Sequence, residues 1–443
     1  MKIIIIGGTA AGTSAAAKAK RTNKELSITI YEKTNITSFG TCGLPYFIGG
    51  FFDEPNNMIA RTSDEFAQNG ISVFTEHEVI KVDTKNNTIK IKNLKTKQIF
   101  NDTYDKLVIA TGANPIIPPI SNIQLNNFYT VKNMQDGKEL RALFEKKTIN
   151  DIVIIGAGYI GIEMVEAAKA LGKNVRIIQL DKRILIESFD KEITNIMEEE
   201  LKSNNVLIHT NEFAKSLIGK EKVKGIITNK AEYKADLIIL STGVRPATEF
   251  LEDQLEMLPN GAIIVNEYGE TSVKNIFAAG DCATIYNIVS KKNDYIPLAT
   301  TANKLGKVIG ENLAGRRVSF KGTLGSASIK VLSLEAARTG LTEEAALKLG
   351  IKYQTVFIKD KNHTNYYPNQ EDLYIKLIYN EKTKEIIGAQ IIGKNGAAIR
   401  MHALSLAIYS RLTTKELGMM DFSYSPPFSK TWDALNVAGN AAK

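Results

Sequence analysis

Disulfide frameworks need cysteine, and this chain carries only Cys42 and Cys282 in its 443 residues. Two thiols cannot build a network of bridges, so stability does not depend on an oxidising compartment and the cytoplasm is the expected location. Histidine is almost as scarce: the four, at 77, 209, 363 and 402, show no metal-ligand spacing, and no metal is expected. No apolar run approaches the ~18–20 residues that span a bilayer, so no membrane association is expected. The opening MKIIIIGGTAAG has the lysine, apolar stretch and small residues of a secretion signal. Its apolar part is only four isoleucines leading into a glycine turn, and it reads as the first strand of the fold. Blocks of one charge sign are missing too. The formal charge of +8 is spread along the chain, which suits anionic small molecules better than nucleic acid.

What is present is an ordinary globular composition, 44% hydrophobic and 23% charged, in a length that implies roughly two to four domains. KIIIIGGTAAGTSAAAKAKR reads strand, glycine turn, helix. Gly7 permits the tight turn, and Gly12 lets an alanine-rich helix pack closely on the sheet. The helix N-terminus then offers unpaired N–H groups and its positive dipole end to a pyrophosphate. The next strand, SITIYEK, ends at Glu32, where an acid accepts a ribose hydroxyl bond. Thr9 stands where the middle glycine of the pattern is usual. The unit recurs in DIVIIGAGYIGIEMVEAAKALGKNVRIIQL, with the full set Gly156, Gly158 and Gly161. Here the acid position is taken by Gln179, followed by Asp181, Lys182 and Arg183, which leaves the choice between NADH and NADPH open. KLVIATGANP and DLIILSTGVRP are each a buried strand running into Thr-Gly. TSVKNIFAAGDCA is a turn, a short strand, and Gly280-Asp281 at an expected helix start.

This order of motifs resembles the flavoprotein disulfide reductases with two dinucleotide folds, over residues 1 to about 320. The resemblance implies an α/β protein with two Rossmann-like domains and a C-terminal α+β dimerisation domain. It divides the chain into an FAD domain (1–112 with 244–321), an NAD(P) domain (113–243) and a dimerisation domain (322–443). It implies FAD held by Gly7, Thr9, Ala10, Gly12, Glu32, Lys33, Thr111, Gly112 and Asp281. NADPH or NADH would lie on Gly156, Gly158, Tyr159, Ile160, Gly161, Glu163, Gln179 and Gly243. Tyr159 matches the aromatic that covers the flavin until nicotinamide displaces it, and Glu163 falls near the flavin edge.

Many enzymes of this fold carry a second cysteine five residues after the first, where this chain has Phe47. SFGTCGLPY therefore resembles the single-cysteine members: coenzyme A-disulfide reductase, NADH oxidase and NADH peroxidase. A lone sulfur can hold a mixed disulfide with a small thiol or cycle through sulfenic acid. Small neighbours leave Cys42 accessible, and a helix starting after it, with Pro45 in the first turn, would favour the thiolate. Cys282 reads as a small packing residue. HTNYYP and FSYSPPFS in the last domain resemble the coenzyme A-disulfide reductases. In them the tyrosines matching Tyr366 and Tyr424 reach across a homodimer to the cysteine, where a phenol supplies a proton. Arg21 and Ser38 match positions that contact coenzyme A. Ala10 stands where oxidase and peroxidase members usually carry histidine, and Thr41 replaces the asparagine common before the reductase cysteine. The expected activity is NAD(P)H-dependent reduction of a coenzyme A disulfide or a related small disulfide. The alternatives are an NADH oxidase or peroxidase working through a Cys42 sulfenate and, outside catalysis, a flavin redox sensor.

Overall fold

Ile3, Ile4 and Ile5 have no exposed surface because their strand, Lys2–Ile6, runs through the middle of a five-stranded parallel sheet. Its neighbours are Ser27–Tyr31 and Lys106–Ile109, with Ile71–Phe74 and Ile276–Ala278 at the edges. A strand buried on both faces needs an unbroken apolar run, and four isoleucines supply it. The computed structural model describes every residue from Met1 to Lys443 except Glu252. These fall into two compact units: Met1–Leu44, Phe52–Ile116 and Val244–Thr323 form one, and Pro45–Phe51, Ile117–Gly243 and Leu324–Lys443 form the other.

The second unit repeats the arrangement of the first. Asp151–Ile155 lies between Asn174–Ile178 and Leu237–Leu240, with Val206–His209 and Phe128–Thr130 outermost, all parallel. In each sheet the strand order reverses at the strand that precedes the glycine turn, and open α/β sheets bind ligands in the crevice at that point. Each half also carries a three-stranded antiparallel meander, His77–Asp83, Thr88–Asn93 and Ile99–Thr103 in one and Ala214–Gly219, Val223–Thr228 and Glu232–Lys234 in the other.

The alanine-rich helix Ala10–Thr22 packs against Ala299–Leu313 at backbone distance. A Cβ at Gly306 or Gly310 would lie 2.5 Å from the Ala11 or Ala15 carbonyl oxygen, so neither position admits a side chain. One expectation fails here. Gly280–Asp281 does not begin a helix; it enters a turn that leads to the hairpin Ile285–Asn287 and Lys292–Asp294, and the next helix waits until Ala299. Gly280, at φ +83°, sets that turn, and the glycine that suggested a helix start serves the reversal instead.

The C-terminal part of the second unit is a five-stranded antiparallel sheet in the order Ala327–Val331, Leu334–Gly340, Ile386–Gly393, Asp372–Asn380, Tyr353–Lys361. The helix Ala397–Tyr409 follows it and leaves Ile399 and Leu406 exposed. Among the described residues no helix is long and apolar enough to cross a membrane.

Candidate active site

Cys42 sits in the one-turn 3-10 helix Thr41–Gly43 and is exposed, whereas Cys282 is buried. The Gly43 N–H donates to the Gly40 carbonyl at 3.0 Å, and the Gly40 N–H to the Met58 carbonyl at 2.8 Å, which fixes the turn on both sides. The helix Leu44–Ile48 follows directly. Beside the cysteine opens a cavity of about 350 Å³ lined by Ser38, Gly40, Gly43, Asn57, Met58 and Ala60. Ser38 takes φ +49°, a left-handed value uncommon away from glycine. Its backbone bonds Gly8 (2.7 Å) and Ala60 (3.0 Å), so the cavity wall is tied to the first glycine turn. Arg21 is exposed in the last turn of its helix and does not line this cavity.

The Gly7 turn has the geometry of a phosphate cradle. Gly7 has φ +104°, and a Cβ on it would lie 2.1 Å from the Ala110 carbonyl oxygen; one on Gly12 would lie 2.0 Å from that of Gly7. Thr9 caps the helix that starts at Ala10, without a side-chain bond. Glu32 is buried, accepting the Gly8 N–H at 2.6 Å on one oxygen and the Thr34 N–H and hydroxyl at 2.8 Å on the other. Lys33 beyond it is exposed. Beside the Gly7 turn, where a Cβ on Gly7 would lie 3.4 Å from the Thr111 backbone nitrogen, Thr111 Oγ1 is buried without a hydrogen-bond partner. Gly112 next to it, at φ +71°, faces open space. A buried orphan hydroxyl beside an open backbone is what a polar ligand chain would satisfy, and these residues fit FAD. Cys282 takes no part: its thiol donates to the Ile109 and Ala279 carbonyls at 3.4 Å, and burial pushes it up. Asp281 accepts the Tyr295 hydroxyl on its carbonyl oxygen at 3.1 Å.

The second turn superposes in logic. Gly156 has φ +98°, and a Cβ on Gly161 would meet the Gly156 carbonyl oxygen at 2.1 Å, whereas one on Gly158 would meet nothing within 4 Å. That open space at the helix start is room for a dinucleotide, and these residues fit NAD(P)H. Gly161→Ala is therefore expected to destabilise the fold, and Gly158→Ala to leave the melting temperature unchanged while weakening NAD(P)H binding. Calorimetry beside a binding titration checks both. Gly243, at φ +99°, follows the Leu237–Leu240 strand. Tyr159 and Ile160 open the helix Tyr159–Ala170, half-buried.

Glu163, one turn further, has its carboxyl pushed up to about 7 by burial and then by Glu166. Glu166 is itself held by Lys330 at 2.6 Å. A carboxyl poised near neutrality can hold or release a proton at this turn. A raised carboxyl binds its proton more tightly in the folded state, so stability falls as pH rises from about 4.5 to 7 and is flat above. Glu163→Gln is expected to remove that fall, worth up to about 3 kcal/mol, in denaturation midpoints compared at pH 5 and pH 8.

In the second unit the Tyr366 and Tyr424 hydroxyls lie 3.0 Å apart, on side chains that are both exposed. The Tyr366 bond is the main cause that holds the Tyr424 phenol above its ordinary value. Their loops are pinned by residues that sequence reasoning missed. Arg400 donates to the Asn362 and Phe428 carbonyls, both at 2.7 Å, and the Thr364 hydroxyl to the Pro426 carbonyl at 3.1 Å. Arg141 was missed as well: it donates to the Phe47 carbonyl at 2.8 Å, at the end of the helix after the cysteine. Only their position on helices of mixed face pointed to them, and that says nothing about a partner so distant in sequence.

Two dinucleotide cradles in one chain fit an oxidoreductase that uses FAD and NAD(P)H. Residues 1–306 match the family described as pyridine nucleotide-disulphide oxidoreductase, and residues 326–435 its dimerisation domain. The chain belongs to the pyridine nucleotide-disulphide oxidoreductase family, and within it to the kind that includes coenzyme A persulfide reductases and NADH oxidases. It is 37% identical to an NAD(P)H coenzyme A polysulfide/persulfide reductase of Pyrococcus horikoshii, over 100% of this chain and 98% of the relative. It is 36% identical to an NADH oxidase of Enterococcus faecalis, over 100% and 99%. The solved structure of reduced CoADR-RHD from Bacillus anthracis superposes with a TM-score of 0.95 at 32% identity, covering 99% of this chain and 79% of that one.

Proposed function

We propose that this enzyme reduces coenzyme A disulfide, or a closely related coenzyme A-linked disulfide, with NAD(P)H through Cys42. One observation carries the reading: Cys42 is exposed in a turn whose flanking Gly40 and Gly43 line a cavity, and the residue five positions on is Phe47, buried to 5% exposure, not a second thiol. The resolving sulfur then arrives on the substrate. Cys42 as thiolate attacks one sulfur of the disulfide and expels the first coenzyme A thiolate, which takes up a proton. This leaves a mixed disulfide on Cys42. FAD, when bound, supplies the hydride and electron transfer that links NAD(P)H to sulfur. Two electrons cleave the mixed disulfide to the Cys42 thiolate and the second coenzyme A thiol. In sum, one disulfide, one NAD(P)H and one proton become two thiols and NAD(P)+.

Residues 1–112 with 244–321 serve FAD in this reading, 113–243 serve NAD(P)H, and 322–443 pair two subunits in a homodimer. The match to the dimerisation domain and the exposed Ile399, Leu406 and Phe428 support the pairing. Tyr366 and Tyr424 act at the sulfur of the other subunit, where a phenol kept protonated donates to a departing thiolate. Ser38 and Arg21 contact coenzyme A. The enzyme works in the cytoplasm, beside its reductant. The mass of the purified protein tests the reading: a coenzyme A adduct on Cys42, released by NAD(P)H, supports it, and a sulfenate there opposes it. The relative named NADH oxidase favours a second reading, in which Cys42 cycles through sulfenate. Rapid oxygen uptake to water at saturating NADH would select that one.

A further inference from the structure

The two cradles are built alike except at one residue. In the first, the residue after Ser27–Tyr31 is Glu32, which accepts the Gly8 N–H. In the second, the residue after Asn174–Ile178 is Gln179, which is buried and accepts the Ala157 N–H on Oε1 at 2.8 Å. Because a backbone N–H can only donate, the amide oxygen must face the turn and the NH2 must face away. There Nε2 donates to Asp181 Oδ2 at 2.8 Å. A neutral side chain thus does the backbone work of Glu32, and the negative charge appears two residues later, on an exposed carboxylate that Gln179 holds in one orientation.

The neighbouring cations do not offset that charge with a phosphate clamp. Arg183 is turned inward: Nη1 donates to the Phe189 carbonyl and to Thr194 Oγ1, and Nη2 to the Ile186 carbonyl. Glu344 draws on the same pair, since its carboxyl is held below the usual range by Lys348 first, with Arg183 and Lys182 contributing. Asp181 is left as the oriented charge beside the end of the Asn174–Ile178 strand, where a dinucleotide's ribose lies in this fold class.

We infer that Asp181, positioned by Gln179, selects a nicotinamide dinucleotide without a 2′-phosphate, so that the enzyme prefers NADH to NADPH. The carboxylate accepts the ribose 2′-hydroxyl and repels a phosphate at the same place. This rests on the reading that the second glycine turn binds the nicotinamide dinucleotide.

Titration calorimetry of the FAD-loaded full chain with NAD+ and with NADP+ tests it without turnover. The wild type is expected to bind NAD+ at least about tenfold more tightly, the scale of one hydrogen bond to a charged group. Asp181→Asn is expected to remove most of that ratio, and Asp181→Ser to do the same should the first variant be impaired. Gln179→Met is expected to lower the ratio in the wild type but not in the Asp181→Asn background, an outcome that mere loosening of the fold would not produce. Equal affinities in the wild type, or a ratio unmoved by both Asp181 variants, overturns the inference and leaves the dinucleotide reading standing. Binding of neither ligand overturns both.

Discussion

Cys42→Ser is expected to abolish coenzyme A disulfide reduction, by roughly three orders of magnitude or more, while NAD(P)H still bleaches the bound flavin at its normal rate. Removal of a covalent nucleophile costs activity on that scale, because the second-best path lacks the intermediate altogether. The split between the two half-reactions is the informative part. In the proposed mechanism electrons enter at the Gly156–Gly161 turn and leave at the Thr41–Gly43 turn, and these turns belong to different units of the chain. A serine hydroxyl fills the volume of the thiol, and the turn is held by backbone bonds from Gly43 to Gly40 and from Gly40 to Met58. The fold should therefore be indifferent to the change. Stopped-flow absorbance measures the first half-reaction and thiol release the second. Full disulfide turnover by Cys42→Ser would sink the mechanism. Loss of both half-reactions would mean that Cys42 also supports the flavin site.

The parts of this molecule that could be read from sequence are those where chemistry tolerates one residue type. Gly12 and Gly161 are legible because a Cβ at either would sit about 2 Å from a carbonyl oxygen, and the buried strands because only an unbroken apolar run survives between two helix layers. Asp281 shows the limit. The same Gly-Asp pair can start a helix or turn a hairpin, and the backbone around Gly280 decides that, not the pair. Gln179 shows another. Its type suggested a lost acid, yet its bonds to Ala157 and Asp181 reveal that the charge has moved along the chain. Side-chain networks were the least legible, since their members can lie 200 positions apart, as Gln390 and Asp190 do. DLYIKLIYN is strand-like by its residues and forms the strand Asp372–Asn380, but nothing in that run tells that its lysine has no exposed surface.

That lysine, Lys376, is the basis of the largest expected loss of stability. It bonds Glu192 Oε2 at 2.7 Å and Glu343 Oε1, and lies 3.4 Å from Asp190 Oδ2. Burial alone would push its ammonium down, but the bonds to Glu192 and Glu343 outweigh burial and hold it above the ordinary value. Asp190 in turn accepts from Gln390 Nε2 at 2.6 Å and from the Glu343 N–H at 3.1 Å, so one ion cluster joins the helices Lys191–Ser203 and Glu343–Lys348 to the C-terminal sheet. Lys376→Met keeps the length of the side chain and removes the charge. Asp190, Glu192 and Glu343 are then left facing one another without a cation, which costs about 3–5 kcal/mol when such a pair is broken inside a protein. The loss should shrink as pH falls, because carboxylates raised by mutual repulsion regain protons in the folded state before they do in the unfolded one. Removing two of the facing charges with it, as Lys376→Met with Asp190→Asn and Glu343→Gln, should recover most of the stability, since Glu192 is then the one charge left of the three and its side chain, 40% exposed, reaches water. Urea midpoints at pH 5 and pH 8 for the single and triple variants decide it. A single variant within 1 kcal/mol of wild type at pH 8 would show that water reaches the cluster and that Lys376 is not the latch its burial implies.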